Sequence, residues 1–103
     1  MAIQRNWTPQ EILDLLCQYR ETLRGMGVCK IGLFGSYRRG TASPESDIDL
    51  LVTLEQPSFD RYMEVKFFLE DLFQRKVDLV LEPDLKPRVR PYILAEVEYV
   101  PGL

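Results

Sequence analysis

Residues 35–52 constrain the fold of this chain more than any other part of it. They begin with Gly35 and Ser36, directly after the mostly apolar run Val28–Phe34, which predicts a buried strand that ends in a tight turn. They close with the alternating residues that start at Ile48, which predict a second strand. We expect the rest of the chain to position this segment.

Two carboxylates lie where the second predicted strand begins, on Asp47 and Asp49. Because side chains alternate along a strand, both project from the same face, about 7 Å apart. Such a pair, facing a glycine–serine turn, suits a divalent cation that carries a phosphate. A third acid, Asp78, lies near the start of a third predicted strand, Val77–Leu81.

Each of these features is common when it occurs alone. A Gly-Ser pair is a frequent turn, Asp-x-Asp is often a solvated strand start, and Asp78 is also compatible with a simple acid at a sheet edge. Their joint occurrence favours a site for phosphate and metal. Arg38 and Arg39 are expected to be solvated, although Arg39 is a candidate phosphate ligand.

The flanking segments predict helices that cover a sheet. Thr8, Pro9 and Glu11 form a capping-box start for one long helix that reaches about residue 26. Further helices are predicted over Phe59–Phe73 and over residues 88–96. The residues expected to be buried on the two long helices are Ile12, Leu16, Tyr19, Leu23, Met26, Phe59, Tyr62, Val65, Phe68, Leu69, Leu72 and Phe73.

The chemistry of the site implies the directions of the strands. If the turn after the first strand meets the acids that open the second, these two strands are antiparallel. If Asp78 joins the same acids, the second and third strands are parallel, and the helix Phe59–Phe73 supplies the crossover. We therefore expect an α/β (α+β) fold with a small mixed sheet of three main strands and helices on one face.

The two sheet faces receive different residues in this arrangement. The face with Ile31, Leu50 and Leu79 is covered by the two long helices, whereas the other, apolar face lacks an obvious cover. Only residues 92–100 are able to reach that second face. We expect it to be a docking surface for an acceptor protein beside the site.

Composition limits the function. The 103 residues predict one domain, 1–103, with 13 basic and 16 acidic residues and a net charge of −3, so non-specific binding to nucleic acid is not expected. The absence of histidine excludes the usual base of serine and cysteine hydrolases.

Cys17 and Cys29 are expected to be reduced and buried. Residues 1–7 carry no signal region and no run suits a membrane, so a cytoplasmic protein is expected.

A family resemblance rests on the central segment. Gly35-Ser36, ten intervening residues and then Asp47-x-Asp49 resemble the signature of the nucleotidyltransferase superfamily that includes DNA polymerase beta. The resemblance implies that fold, with ATP as the substrate and Mg²⁺ as the cofactor, bound as two metal ions.

The resemblance narrows to the minimal nucleotidyltransferases, which are commonly antitoxins paired with HEPN-domain toxins. Arg39-Gly40 and the short length carry it, and residues 75–80 and 85–88 also resemble later segments of that family. Arg38 departs from it, because such proteins often have a small residue at this position.

The implied activity is transfer of AMP from ATP to a hydroxyl group of a partner protein, with a HEPN-domain toxin as the partner. The implied catalytic and metal-binding residues are Asp47, Asp49 and Asp78, and the implied nucleotide-binding residues are Gly35, Ser36 and Arg39. Asp78 would also help to deprotonate the acceptor hydroxyl. A homo-oligomer is left open.

Two alternatives remain at this stage. In one, the protein is a non-catalytic nucleotide-binding antitoxin that neutralises its toxin by stoichiometric binding. In the other, it modifies a drug, which 103 residues disfavour because they leave no room for a second acceptor-binding domain. The presence of all three carboxylates favours the adenylyl-transferring enzyme over the non-catalytic antitoxin.

Overall fold

The computed structural model describes residues 7–103. The helices are α1 (Pro9–Gln18), α2 (Arg20–Gly25), α3 (Gly35–Arg39), α4 (Phe59–Phe73) and α5 (Arg90–Glu96). The strands are β1 (Val28–Phe34), β2 (Ile48–Leu54), β3 (Val77–Leu81) and β4 (Glu98–Tyr99), and a short 3-10 turn, Glu82–Asp84, follows β3. Within the described residues, no helix is long and apolar enough to cross a bilayer.

The first predicted helix begins as expected but is divided in two. The Thr8 hydroxyl accepts from the Glu11 backbone at 3.1 Å, and the Thr8 backbone donates to the Glu11 carboxylate at 3.0 Å, which confirms the capping box. Tyr19 then departs from helical geometry at φ −100° and ψ 16°. Tyr19 separates α1 from α2, so the prediction of one continuous helix is wrong. The Tyr19 ring packs edge-on against Phe68 of α4, with 5.9 Å between the ring centroids.

The sheet confirms the strand directions that the chemistry implied. Its order is β3-β2-β1-β4, with β1 antiparallel to β2 and β2 parallel to β3. The mixed α/β fold class is therefore confirmed, and the short β4, antiparallel to β1, adds a fourth strand.

The larger core lies between one sheet face and the helices α1, α2 and α4. Ile31, Leu50 and Leu79 are buried there, as predicted. Phe59 is wrongly predicted to join them, since as the first residue of α4 it is 75% exposed and lines a surface groove of about 480 Å³. Most other residues of the predicted stripes are buried or packed against this core.

The second sheet face is covered by the C-terminal segment, residues 82–99. A smaller core forms there around Phe34, Leu51 and Leu85, against which Ile93 and Val97 pack. A Cβ atom at Gly32 would lie 2.6 Å from the Val97 side chain, so glycine in β1 permits this close packing. The prediction of an uncovered docking surface on this face is therefore wrong.

The two cysteines are free thiols, but the prediction that both are buried is wrong. Cys29 is exposed because the β1–β2 register shifts between Val28 and Lys30, which interrupts the side-chain alternation. Cys17 is half-buried beside the larger core.

Candidate active site

The register of the sheet brings the predicted turn and two of the predicted acids to one place. Phe34, the last residue of β1, pairs with Asp49, and Asp49 pairs with Asp78 across β2 and β3. Gly35 follows Phe34 directly and therefore lies beside Asp49. Asp47 precedes β2 and is exposed.

Gly35 is in contact with the Asp49 carboxylate. A Cβ atom at this position would lie 2.0 Å from Asp49 Oδ2, and the backbone has a φ of +77° that L-residues rarely adopt. Only glycine permits both. The Gly-Ser pair of the motif therefore makes room for a carboxylate at the turn.

Asp78 lies beside Asp49 across β2 and β3, and a side-chain hydrogen bond between them is one of the causes that shift the pKa of Asp49. Partial burial, followed by the charge of Asp78 and this hydrogen bond, raises the pKa of Asp49 to about 6, and the charge of Asp47 acts in the same direction. Arg39 opposes the shift. A bound cation would relieve the repulsion between these carboxylates. At lower pH, protonation of Asp49 relieves the same repulsion.

The turn continues as α3, which carries the other predicted nucleotide ligands. Ser36 is half-buried, and its carbonyl accepts from the Thr41 backbone at 2.9 Å. The backbone N–H groups at a helix start have no partner inside the helix. In α3 the Gly35 N–H donates to Glu96, so the Ser36 N–H is the next candidate donor to an anion. Tyr37 is buried in the larger core and holds α3 against it, whereas Arg39 points outward with its side chain 55% exposed.

The loop before Asp47 is held by its own hydrogen bonds. The Ser43 backbone donates to the Ser46 hydroxyl at 2.9 Å, and the Ser46 backbone donates to the Ser43 carbonyl at 3.0 Å. Arg75 donates to the Pro44 carbonyl from the segment that leads into β3. These contacts connect the loop that leads into Asp47 to the start of β3.

Glu96 is the residue at this site that sequence reasoning missed. It ends α5, and its two carboxylate oxygens accept from the Gly35 backbone N–H at 2.8 Å and from Arg39 Nη1 at 2.7 Å. Partial burial disfavours its charged form, but these two hydrogen bonds and the charges of Arg39 and Arg38 hold the pKa of Glu96 below its usual value. Glu96 lies 61 residues from Gly35, and no local pattern marks it.

The carboxylates of this site fit a Mg²⁺ ion in the chemistry of their donors. Asp47, Asp49 and Asp78 offer only oxygen ligands, and Asp49 and Asp78 are paired on neighbouring strands. No three or more of the described His, Cys, Asp and Glu side chains are arranged as a complete metal-binding group. Since Mg²⁺ commonly binds one or two carboxylates together with substrate phosphates, the neighbouring pair Asp49 and Asp78 beside the Gly35 turn would be sufficient.

Comparisons with known proteins agree with this geometry. Residues 13–100 match the model of the nucleotidyltransferase domain family. The protein adenylyltransferase MntA of Thermococcus cleftensis is 42% identical over 95 residues, which cover 90% of this chain and 96% of that protein.

Solved structures show the same fold. A chain provisionally named a minimal nucleotidyltransferase superposes with a TM-score of 0.69 at 35% identity, covering 84% of this chain and 93% of that one. A complex of a tri-AMPylated HEPN toxin with an MNT antitoxin from Shewanella oneidensis gives a TM-score of 0.64 at 20% identity, covering 93% of this chain and 74% of that one. At 20% sequence identity, the similarity to this antitoxin chain supports a shared fold alone.

These matches confirm the prediction that the protein is a nucleotidyltransferase, and they confirm the resemblance to the minimal nucleotidyltransferases. The matched region contains the turn, all three carboxylates and Glu96. The roles of the individual site residues stay predictions. The chain belongs to the nucleotidyltransferase domain family and, within it, to the minimal nucleotidyltransferases.

Proposed function

We propose that this protein transfers AMP from ATP to a hydroxyl group of a HEPN-domain toxin and thereby acts as its antitoxin. The observation that carries the proposal is the junction where the Asp49 carboxylate lies against Gly35 and Asp49 pairs with Asp78 across β2 and β3. The name of the Thermococcus cleftensis relative, a protein adenylyltransferase, supports protein as the acceptor. The Shewanella oneidensis complex supports a HEPN toxin as the partner.

The proposed reaction is an in-line displacement at the α-phosphorus of ATP. The acceptor oxygen forms a bond to the α-phosphorus while the bond between this phosphorus and the bridging oxygen of the β-phosphate breaks, and pyrophosphate leaves. Asp78 accepts the proton of the acceptor hydroxyl. Bound Mg²⁺, held by Asp47, Asp49 and Asp78, would supply charge neutralisation at the phosphates.

The turn and α3 bind the triphosphate in this proposal. The Ser36 backbone N–H and hydroxyl donate to the outer phosphates, and the Arg39 guanidinium offsets their negative charge. Gly35 contributes by allowing the Asp49 carboxylate to lie against the turn. The pKa of Asp49, raised to about 6, leaves this residue mostly ionised at neutral pH and ready to bind a cation.

The intact mass of the toxin tests this proposal. The HEPN-domain protein encoded nearest to this chain is incubated with ATP, Mg²⁺ and catalytic amounts of the wild-type protein. We expect the toxin to gain the mass of one or more AMP units with many turnovers per antitoxin. Neutralisation that requires equimolar protein and leaves the toxin mass unchanged would instead support the binding-only antitoxin.

A further inference from the structure

We infer that Glu96 is a positioning residue that holds the Gly35 turn and the Arg39 guanidinium in the arrangement that receives the triphosphate. The inference rests on the function proposed above and adds a role for the C-terminal segment. Glu96 is the last residue of α5, on the sheet face opposite the larger core. It binds two groups that belong to the turn and to α3.

The two carboxylate oxygens of Glu96 are used separately. Oε2 accepts from the Gly35 N–H at 2.8 Å, and Oε1 accepts from Arg39 Nη1 at 2.7 Å. One side chain therefore connects the backbone of the turn with the cation four residues further on. Both contacts are charge-assisted hydrogen bonds, which are stronger than neutral ones.

The position of Glu96 at the end of α5 also supports a role for its contacts with the turn. A negative charge in the last turn of a helix opposes the helix dipole, so α5 itself does not favour an acid there. The neighbouring Ile93 and Val97 pack in the smaller core and hold this end of α5 against the sheet. The Glu96 side chain is 23% exposed, and its carboxylate contacts the turn and Arg39.

Gly35 is held from two sides. The Asp49 carboxylate lies so close that no Cβ atom fits between it and the Gly35 backbone, and Glu96 binds the Gly35 N–H. Loss of Glu96 would release the turn from one side and allow the position of Ser36 relative to Asp49 to vary. Binding of the triphosphate would then have to order the turn, which weakens affinity.

Arg39 remains able to bind a phosphate while it is paired with Glu96. A guanidinium group has five N–H donors, and the contact with Glu96 uses one nitrogen, Nη1. With its side chain 55% exposed, Arg39 has its other donors available to the ligand. Glu96 thus restricts the rotamers of a long side chain and leaves much of its binding capacity in place.

Binding of an ATP analogue with a methylene group between the α- and β-phosphorus tests the inference, because this analogue cannot transfer AMP. Its Kd is measured by calorimetry with Mg²⁺ for the wild type, Glu96→Ala and Glu96→Gln. Glu98→Ala is the matched control, since it removes an exposed carboxylate two residues away on the same segment. The amide resonance of Gly35 reports on the turn in every variant.

We expect Glu96→Ala to raise the Kd about tenfold, Glu96→Gln to raise it about threefold because one oxygen remains, and Glu98→Ala to leave it unchanged. The Gly35 amide should shift and exchange faster in Glu96→Ala alone. In an Arg39→Ala background, the effect of Glu96→Ala should fall below threefold, because part of it acts through Arg39.

An unchanged Kd in Glu96→Ala would overturn the inference, and so would tighter binding, which would make Glu96 an inhibitor that occupies the phosphate site. These results would leave the proposed function intact if the wild type still modifies the toxin. Failure of the wild type to bind the analogue would overturn both. If Glu96→Ala does not fold, the Glu96→Gln variant tests the inference instead. An unchanged Kd in Glu96→Gln, together with an altered Gly35 amide resonance, would contradict the inference.

Discussion

The two faces of the sheet differ in size and in what they do for the site. Among the described residues, the larger core contains 18 buried residues, which come from α1–α4, the three long strands and Val100, whereas the smaller core contains three. The larger core supplies most of the buried apolar area and hence most of the stability. The smaller core attaches the C-terminal segment, whose Glu96 binds the turn of the site.

This difference indicates that stability and chemistry depend on separate parts of a small chain. Strand β2 contributes to both cores, since Leu50 faces the larger core and Leu51 the smaller one. A change in the larger core should therefore affect mainly folding. A change in the smaller core should also reach the site, through α5 and Glu96.

The largest expected effect concerns activity. Asp49→Asn should lower AMP transfer by several orders of magnitude, because it removes a ligand for the cation while keeping the shape of the side chain. Stopped-assay rates of toxin modification measure this effect, and Asp84→Asn, in the exposed turn after β3, is the matched control. Transfer at near wild-type rate in Asp49→Asn would contradict the assigned site.

A matched pair of neighbouring leucines compares the two cores directly. Leu50 is 0% and Leu51 1% exposed, so Leu50→Ala and Leu51→Ala should each destabilise the fold by about 2–5 kcal/mol by leaving a cavity. Urea unfolding measures the loss of stability in each variant. Binding of the ATP analogue, measured at urea concentrations below the unfolding transition, distinguishes the two variants. We expect weaker binding in Leu51→Ala alone, and equal binding in the two variants would show that the smaller core does not support the site.

Gly35→Ala should have a smaller effect on stability but a strong one on the site. The added Cβ would meet Asp49 Oδ2 in a backbone conformation with φ of +77°, which costs about 1–3 kcal/mol and displaces the carboxylate. Gly25→Ala is the control, because no atom lies within 4 Å of its Cβ position. If Gly35→Ala is as stable and active as Gly25→Ala, the turn is not held against Asp49.

The smallest expected effect is a pH dependence of stability. The pKa of Asp49 is about 6 in the folded protein, above the ordinary value for an aspartate, so the folded state retains a proton that the unfolded state has lost. Stability should therefore fall as the pH rises from about 4 to about 6. Urea midpoints should show this slope in the wild type, and its persistence in Asp49→Asn would assign the slope to another group.

Much of the fold could be predicted because its signals are local and periodic. The predicted bounds of β1, α4 and β3 agree with the structure, since side chains that alternate along a strand or recur along a helix face mark these elements directly. The strand directions followed from the requirement that the turn and the acids meet. That requirement placed Gly35, Asp49 and Asp78 together correctly.

The remaining features depend on contacts between distant residues. The bulge that exposes Cys29 is set by pairing with β2, and the division of the first helix at Tyr19 coincides with packing against Phe68. The cover of the second face requires the 3-10 turn and α5, which follow β3, and the space left by Gly32. Glu96 follows from that cover, so a wrong prediction for the second face also concealed a residue of the site.

The corrected second face changes one prediction about the partner. Leu51 is buried under the C-terminal segment, so Leu51→Glu should unfold the protein and cannot serve to separate toxin modification from ATP binding. Under the proposed function, the acceptor would approach where the carboxylates are exposed, beside Asp47 and Asp78. Lost toxin modification in an otherwise folded Leu51→Glu variant that still binds ATP would contradict this conclusion.

The fate of the α-phosphorus of ATP tests the central claim most directly. The toxin is incubated with the wild-type protein and ATP that carries a radioactive phosphorus in either the α or the γ position. We predict that the toxin becomes labelled by the α-labelled ATP alone, and that Asp49→Asn abolishes this labelling. Label transferred from the γ position, or α-label retained at the wild-type level in Asp49→Asn, would contradict nucleotidyl transfer at the junction of Gly35, Asp49 and Asp78.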